Sequence, residues 1–106
     1  MSKIDIDAAY AFHNRQSFKR GNTIVNVASD GRGVEMLLHG NCIAWITSES
    51  QQLWISHSGY MTKTTKARLN ALNGVHIQQR DFMWFLNGIY WDGCSMYMGE
   101  GIPQVW

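Results

Sequence analysis

Between the apolar runs Phe82-Met-Trp-Phe-Leu86 and Ile89-Tyr-Trp91 stands Asn87-Gly88. This dipeptide tolerates positive φ at both positions and closes a two-residue β-hairpin. With the turn set, Leu86 faces Ile89 and Trp84 faces Trp91, because a two-residue loop leaves only one register. A second tight turn at Arg80-Asp81 joins this pair to Val75-His-Ile-Gln-Gln79. Val75, Ile77, Phe82, Trp84, Leu86, Ile89 and Trp91 then share one face, which is assigned to the core.

Upstream, Thr23–Ala28, Val34–His39, Cys42–Thr47 and Leu53–His57 are rich in β-branched and aromatic residues and are separated by turn signals, so they read as a four-stranded meander. A turn at Gly40-Asn41 predicts that residue 39 faces 42, 37 faces 44 and 35 faces 46. Leu37, Cys42, Ala44, Ile46, Leu53 and Ile55 then lie on one side, and Val34, Met36, Leu38, Ile43, Trp45 and Trp54 on the other. Both sides are apolar, so each is covered or meets a partner. The side with Ala44 is assigned to a helix that starts at Thr62 or Thr64 as N-cap, runs to about Asn73 and ends at Gly74. The fold class is α+β, a mostly antiparallel sheet in the order ββββαββ with room for a short last strand and one helix packed on it. The opposite face, with Trp45 and Trp54, needs a cover. The candidates are the N-terminal segment with Tyr10, Phe12 and Phe18, the tail from Met96 to Trp106, or a second subunit. Residues 5 to 18 are compatible with a short helix but carry no clear period.

At 106 residues the chain is one domain, with residues 9–92 as its core and 1–8 and 94–106 peripheral. It is 45% hydrophobic and 16% charged, which is globular rather than disordered composition. A net charge of +1 excludes any overall pull toward polyanions or acidic membranes. The two cysteines, Cys42 and Cys94, sit among apolar neighbours and read as small buried thiols rather than a disulfide. No apolar stretch approaches a signal peptide or a membrane span, so the expected setting is the cytoplasm.

Four segments carry a resemblance: Phe18-Lys-Arg-Gly-Asn-Thr-Ile-Val25, Leu38-His-Gly-Asn-Cys-Ile-Ala44, Gly59-Tyr-Met-Thr-Lys-Thr-Thr-Lys-Ala-Arg-Leu-Asn-Ala71 and Gln79-Arg-Asp-Phe-Met-Trp-Phe-Leu86. Together they are similar to a family of small tailed-phage and prophage proteins, over residues 9 to 92. The resemblance implies a phage genomic context, a compact α+β domain and work inside an infected bacterium. It implies no chemistry.

The best candidate site in the residues themselves is the start of the helix. Ser58, Thr62, Thr64 and Thr65 offer hydroxyls beside Lys63 and Lys66, and Arg68 and Arg80 are flanking cations. Free backbone N–H groups and partial positive charge at a helix N-terminus suit a phosphate, while the same residues also serve as plain caps and a solvated face. Met36, Trp45, Trp54 and Tyr60 are the candidate interaction surface. His39, Cys42 and His57 form a row that reads better as a polar rim than as a metal site, so no metal or cofactor is expected. Ser56-His57-Ser58 alternates across a strand, which argues against a Ser–His pair, and no acid/base pair can be placed. The leading expectation is a non-enzymatic accessory protein that binds a host macromolecule, as a homodimer if the Trp45 face is open. The alternative is a phosphate-directed binder of nucleotide or single-stranded nucleic acid. No membrane partner is expected.

Overall fold

A computed structural model describes residues 1–100. Two helices and nine strands follow one another among these residues: α1 (Lys3–His13), β1 (Phe18–Arg20), β2 (Thr23–Val27), β3 (Val34–Leu38), β4 (Asn41–Ile46), β5 (Gln52–Ile55), α2 (Lys63–Asn70), β6 (Ile77–Arg80), β7 (Met83–Leu86), β8 (Ile89–Trp91) and β9 (Met96–Glu100). The strands form a six-stranded antiparallel sheet in the order β1-β2-β3-β4-β5-β9 and a three-stranded antiparallel sheet β6-β7-β8. The architecture is α+β, as the strand and turn pattern predicts, with one more helix and two more strands than that pattern gave. No helix among the described residues is long and apolar enough to cross a membrane.

Helix α1 is opened by a capping box, in which the Ser2 side chain accepts from the Asp5 N–H while the Asp5 carboxylate accepts from the Ser2 N–H. Its inward side is built of Ala8, Ala9, Ala11 and Phe12, small residues that let the helix lie close to the sheet. Helix α2 is capped by Thr62, whose hydroxyl accepts from the Thr65 N–H at 3.1 Å, and it buries Thr65, Arg68 and Leu69. The chain ends expected to be peripheral both enter the structure: Asp5 is buried, and β9 completes the large sheet. Residues 101–106, named above as part of a possible cover, lie outside the described residues.

The Asn87-Gly88 turn has the foreseen register, Leu86 opposite Ile89 and Trp84 opposite Trp91, with φ of 49° and 86° at the turn. The other two tight turns sit one residue away from their expected places. His39 and Gly40 form the β3–β4 loop, both at positive φ, so Leu38 faces Asn41 and Leu37 faces Cys42. A bulge then gives Ile43 no partner and aligns Met36 with Ala44. The combined shift turns Val34, Met36, Leu38 and Ile43 inward beside Ala44, Ile46, Leu53 and Ile55, while Leu37 and Cys42 turn outward. Likewise Asp81 and Phe82 form the β6–β7 loop, which leaves Phe82 89% exposed rather than in the core. Ile89, also expected inside, is 73% exposed at the rim of the small sheet.

One core results. Val25, Met36, Ile43 and Ile55 of the large sheet meet Phe12 of α1, Leu69 of α2, and Ile77, Trp84 and Trp91 of the small sheet. A polar knot is buried within it: Arg68 is ion-paired with Asp5 and donates from Nε to Thr23 Oγ1 at 2.9 Å. The far ends of the helices are linked as well, since the Asn73 N–H donates to His13 Nε2 at 3.0 Å. That contact puts the proton of the neutral imidazole on Nδ1, which is buried without a partner.

Candidate functional site

Both helices lie on the inner side of the large sheet, because the residues they pack against are the inward set of β2 to β5. The outer side presents Ile24, Leu37, Cys42, Trp45 and Trp54, all half-buried, and Tyr97, 46% exposed. Glu35 pairs with Trp45, Trp45 with Trp54, and Trp54 with Tyr97, so one row crosses four strands. Trp45 and Trp54 stack with ring centroids 6.4 Å apart and planes 5° apart, and Tyr97 follows at 5.5 Å, tilted by 53°. Each ring stiffens the next, so the row holds a fixed shape in solvent. Lys19, on the strand partnered by Ile24, is exposed at one end of this side, and Asn26 donates to Glu35 at 3.1 Å.

Of the expected interaction surface, Trp45 and Trp54 are therefore together on the outer side. Met36 is not there: it is fully buried, because the turn and the bulge reverse its direction. Tyr60 is exposed but belongs to the loop before α2, on the rim of a separate cleft. Tyr97 was missed. Its signal was the short apolar run Met96-Tyr-Met98, whose Met96 and Tyr97 pair onto β5.

The second place of interest is that cleft, about 300 Å³ in volume, between the end of the β3–β4 hairpin and the start of α2. Thr62, Thr64 and Thr65 line it together with His39, Asn41, His57 and Tyr60. The proposed phosphate cations do not converge there. Lys63 points to solvent, Lys66 donates to Gln79 at 3.1 Å, and Arg80 lies 4.4 Å over the Phe85 ring. Arg68, expected as a flanking contact, is turned into the interior by its pairing with Asp5. Three of the four hydroxyls are also in use. Thr62 and Thr65 share a contact of 2.9 Å, and Ser58 Oγ donates to the Cys42 carbonyl.

The groups that could do covalent chemistry are likewise engaged. Ser56 Oγ donates to the Gly93 carbonyl at 3.3 Å, and His57 Nδ1 accepts from the Gly59 N–H at 3.0 Å. The His57 ring packs edge-on to Trp84 at 5.9 Å and beside Trp91 at 6.2 Å. Both cysteines are free thiols. Burial, then the charge of Glu35, pushes the Cys42 thiol up. Cys94 is exposed rather than buried, and its hydrogen bond with Asp92 pushes its thiol up too. Neither is poised as a thiolate. Among the described residues no three His, Cys, Asp or Glu side chains cluster to hold a metal ion.

The Kyanoviridae Gp96 protein family model matches residues 1–100. The chain belongs to this phage protein family. The Gp96 match includes α1 from its cap and runs to the end of β9, so it is wider than the 9–92 span of the resemblance read from the motifs. No curated protein and no solved structure gave a significant match to set beside the Gp96 family.

Proposed function

We propose that this Gp96-family chain is a non-enzymatic phage accessory protein that docks a host protein, in the host cytoplasm, through the outer side of its large sheet. The observation that carries the reading is the stacked Trp45–Trp54 pair continued by Tyr97. Rigid aromatic side chains of this kind are the residues that most often dominate the energy of protein interfaces. Lys19 stands at one end of this side and Glu35 in the aromatic row, so a protein surface suits it better than a polyanion.

The test is differential capture from host extract with wild-type protein, with Trp45→Lys, and with the double variant Lys63→Glu, Lys66→Glu. Lysine suits the position because Glu35 is opposite. The expected result is a host protein held by wild type and by the double variant but lost with Trp45→Lys, all three showing the same circular dichroism. Capture that ignores Trp45, or retention of nucleic acid that falls with added salt, would overturn it.

A second reading is favoured by the cleft at the start of α2, where two imidazoles and three threonines surround a volume suited to a small polar ligand. A phosphate-bearing nucleotide is the ligand class to try. Thermal shift with nucleotides and with inorganic phosphate at two ionic strengths decides it, since a bound ligand raises the melting temperature by mass action. An unchanged melting temperature with every ligand removes this reading.

A further inference from the structure

Two asparagines are followed directly by glycine, Asn73-Gly74 after α2 and Asn87-Gly88 between β7 and β8, and the fold treats them differently. Both asparagines are exposed, and the two glycines have φ of 80° and 86°. A following glycine has no side chain to keep its backbone nitrogen away from the asparagine amide carbon. A Cβ at Gly74 or at Gly88 would meet nothing within 4 Å, so open space does not separate the two sites. The side chains do. Asn87 is held at both ends of its amide: Oδ1 accepts from the His76 N–H at 2.9 Å, and Nδ2 donates to the Gly74 carbonyl at 3.0 Å. Among the described residues the Asn73 side chain has no hydrogen-bond partner, and only its backbone N–H is engaged, by His13 Nε2 at 3.0 Å.

We propose that Asn73 is a site of spontaneous deamidation and that the fold guards Asn87 from the same reaction. The Gly74 nitrogen, after losing its proton to base in solvent, attacks Cγ of Asn73. The new N–Cγ bond closes a cyclic imide as the Cγ–Nδ2 bond breaks, and the side-chain nitrogen takes up a proton and leaves as ammonia. Water then adds to one imide carbonyl and breaks its bond to nitrogen, which gives aspartate or isoaspartate according to the carbonyl opened. Asn87 can close this ring only by turning its amide away from His76 and Gly74, which leaves an N–H and a carbonyl unpaired. Asn73 has only to rotate in solvent. The reaction falls on a junction of three elements. Isoaspartate adds a backbone carbon between the Asn73 N–H, which engages His13 of α1, and the Gly74 carbonyl, which engages Asn87, and either product lowers the formal charge of +1 by one unit. None of this depends on the docking side or on the cleft.

Timed incubation of the folded protein in mildly alkaline buffer tests this, with tryptic peptides mapped by mass spectrometry; cleavage after Arg80 puts the two sites on separate peptides. Asn73 is expected to gain the amide-to-acid mass difference on the order of tenfold faster than Asn87. The same chain held unfolded in urea should react at similar rates at both sites, because glycine follows each. Asn73→Ser keeps the backbone N–H for His13 and should slow the appearance of the acidic species on ion exchange to the rate of Asn87. Equal rates in the folded protein, faster reaction at Asn87, no reaction at Asn73, a preference that persists in urea, or an acidic species that forms in Asn73→Ser as fast as in wild type would each overturn the proposal.

Discussion

Arg68 and Asp5 form a buried ion pair that fastens α2 to the first turn of α1, and Thr23 of β2 completes it through the Arg68 Nε–H. Burial works to raise the Asp5 carboxyl, but hydrogen bonds from Ser2 and Arg68 outweigh it and hold the group below its ordinary value. Asp5→Ala leaves a guanidinium buried without its counter-charge, which costs about 3–5 kcal/mol. The double variant Asp5→Leu, Arg68→Met should recover much of that loss. Urea denaturation of the three proteins checks both statements. Because the folded carboxyl is the stronger acid, its contribution is complete above the ordinary carboxylate pKa of 3.8 and disappears as pH falls through the lower folded value.

His13 adds a second and earlier dependence on pH. Burial, helped by the charge of Arg15, lowers its pKa from 6.5 to about 4. Between these values the unfolded chain takes up a proton that the folded chain refuses, so stability is complete above pH 6.5 and declines as pH falls toward 4. The full displacement would be worth roughly 3 kcal/mol, and partial solvent access to the ring reduces this to about 2 kcal/mol. His13→Gln keeps an acceptor for the Asn73 N–H and should flatten the stability profile in this window. Denaturation midpoints at several pH values decide, and an unchanged slope would refute the assignment.

Gly93 has φ +87°, and a Cβ there would stand 1.8 Å from Cδ2 of His57. The ring cannot retreat, because Trp84 and Trp91 pack against it. Gly93→Ala should therefore cost about 3–5 kcal/mol, strain and overpacking together. Gly59 has nearly the same φ, +85°, with open space around it. Gly59→Ala should cost only about 1 kcal/mol, the backbone term by itself. Thermal melts of the pair separate crowding from conformation.

Phe82 is strained for no packing return. It holds φ 66° on the β6–β7 loop while 89% of its surface faces solvent. Phe82→Gly relieves the left-handed conformation at the cost of a more flexible unfolded chain, for a net gain of about 0.5–1 kcal/mol. That gain reads as a rise of a few degrees in Tm. A fall in Tm would show that the ring contributes a contact that outweighs its backbone.

The order of β2 to β5, the α2 cap at Thr62 and the Asn87-Gly88 register were legible because each depends on neighbouring residues. The β3–β4 turn was not. Asn41 suits positive φ as well as His39 does, and choosing between them requires knowing that Met36 and Leu38 are needed inside. The shift of the β6–β7 turn onto Phe82 is the same effect, with Trp84 kept in the core. Helix α1 was obscured by its alanines, which carry little apolar contrast, although Ser2 and Asp5 stand at capping-box spacing. The row at Trp45 and Trp54 was legible as an apolar outer side, but its extension to Tyr97 depends on a pairing between segments about 40 residues apart in sequence. Arg68 carried no local sign of its partner, 63 residues upstream.

Two of the ties that hold α1, Asp5 to Arg68 and His13 to Asn73, span 63 and 60 residues of chain. During synthesis α1 emerges before α2, so these two ties close only after α2 and the turn that follows it have been made. A nascent chain stopped short of residue 68 can lay α1 on β1 to β3 but leaves Asp5 without its counter-charge, so the final fastening of this helix waits on translation of the second half.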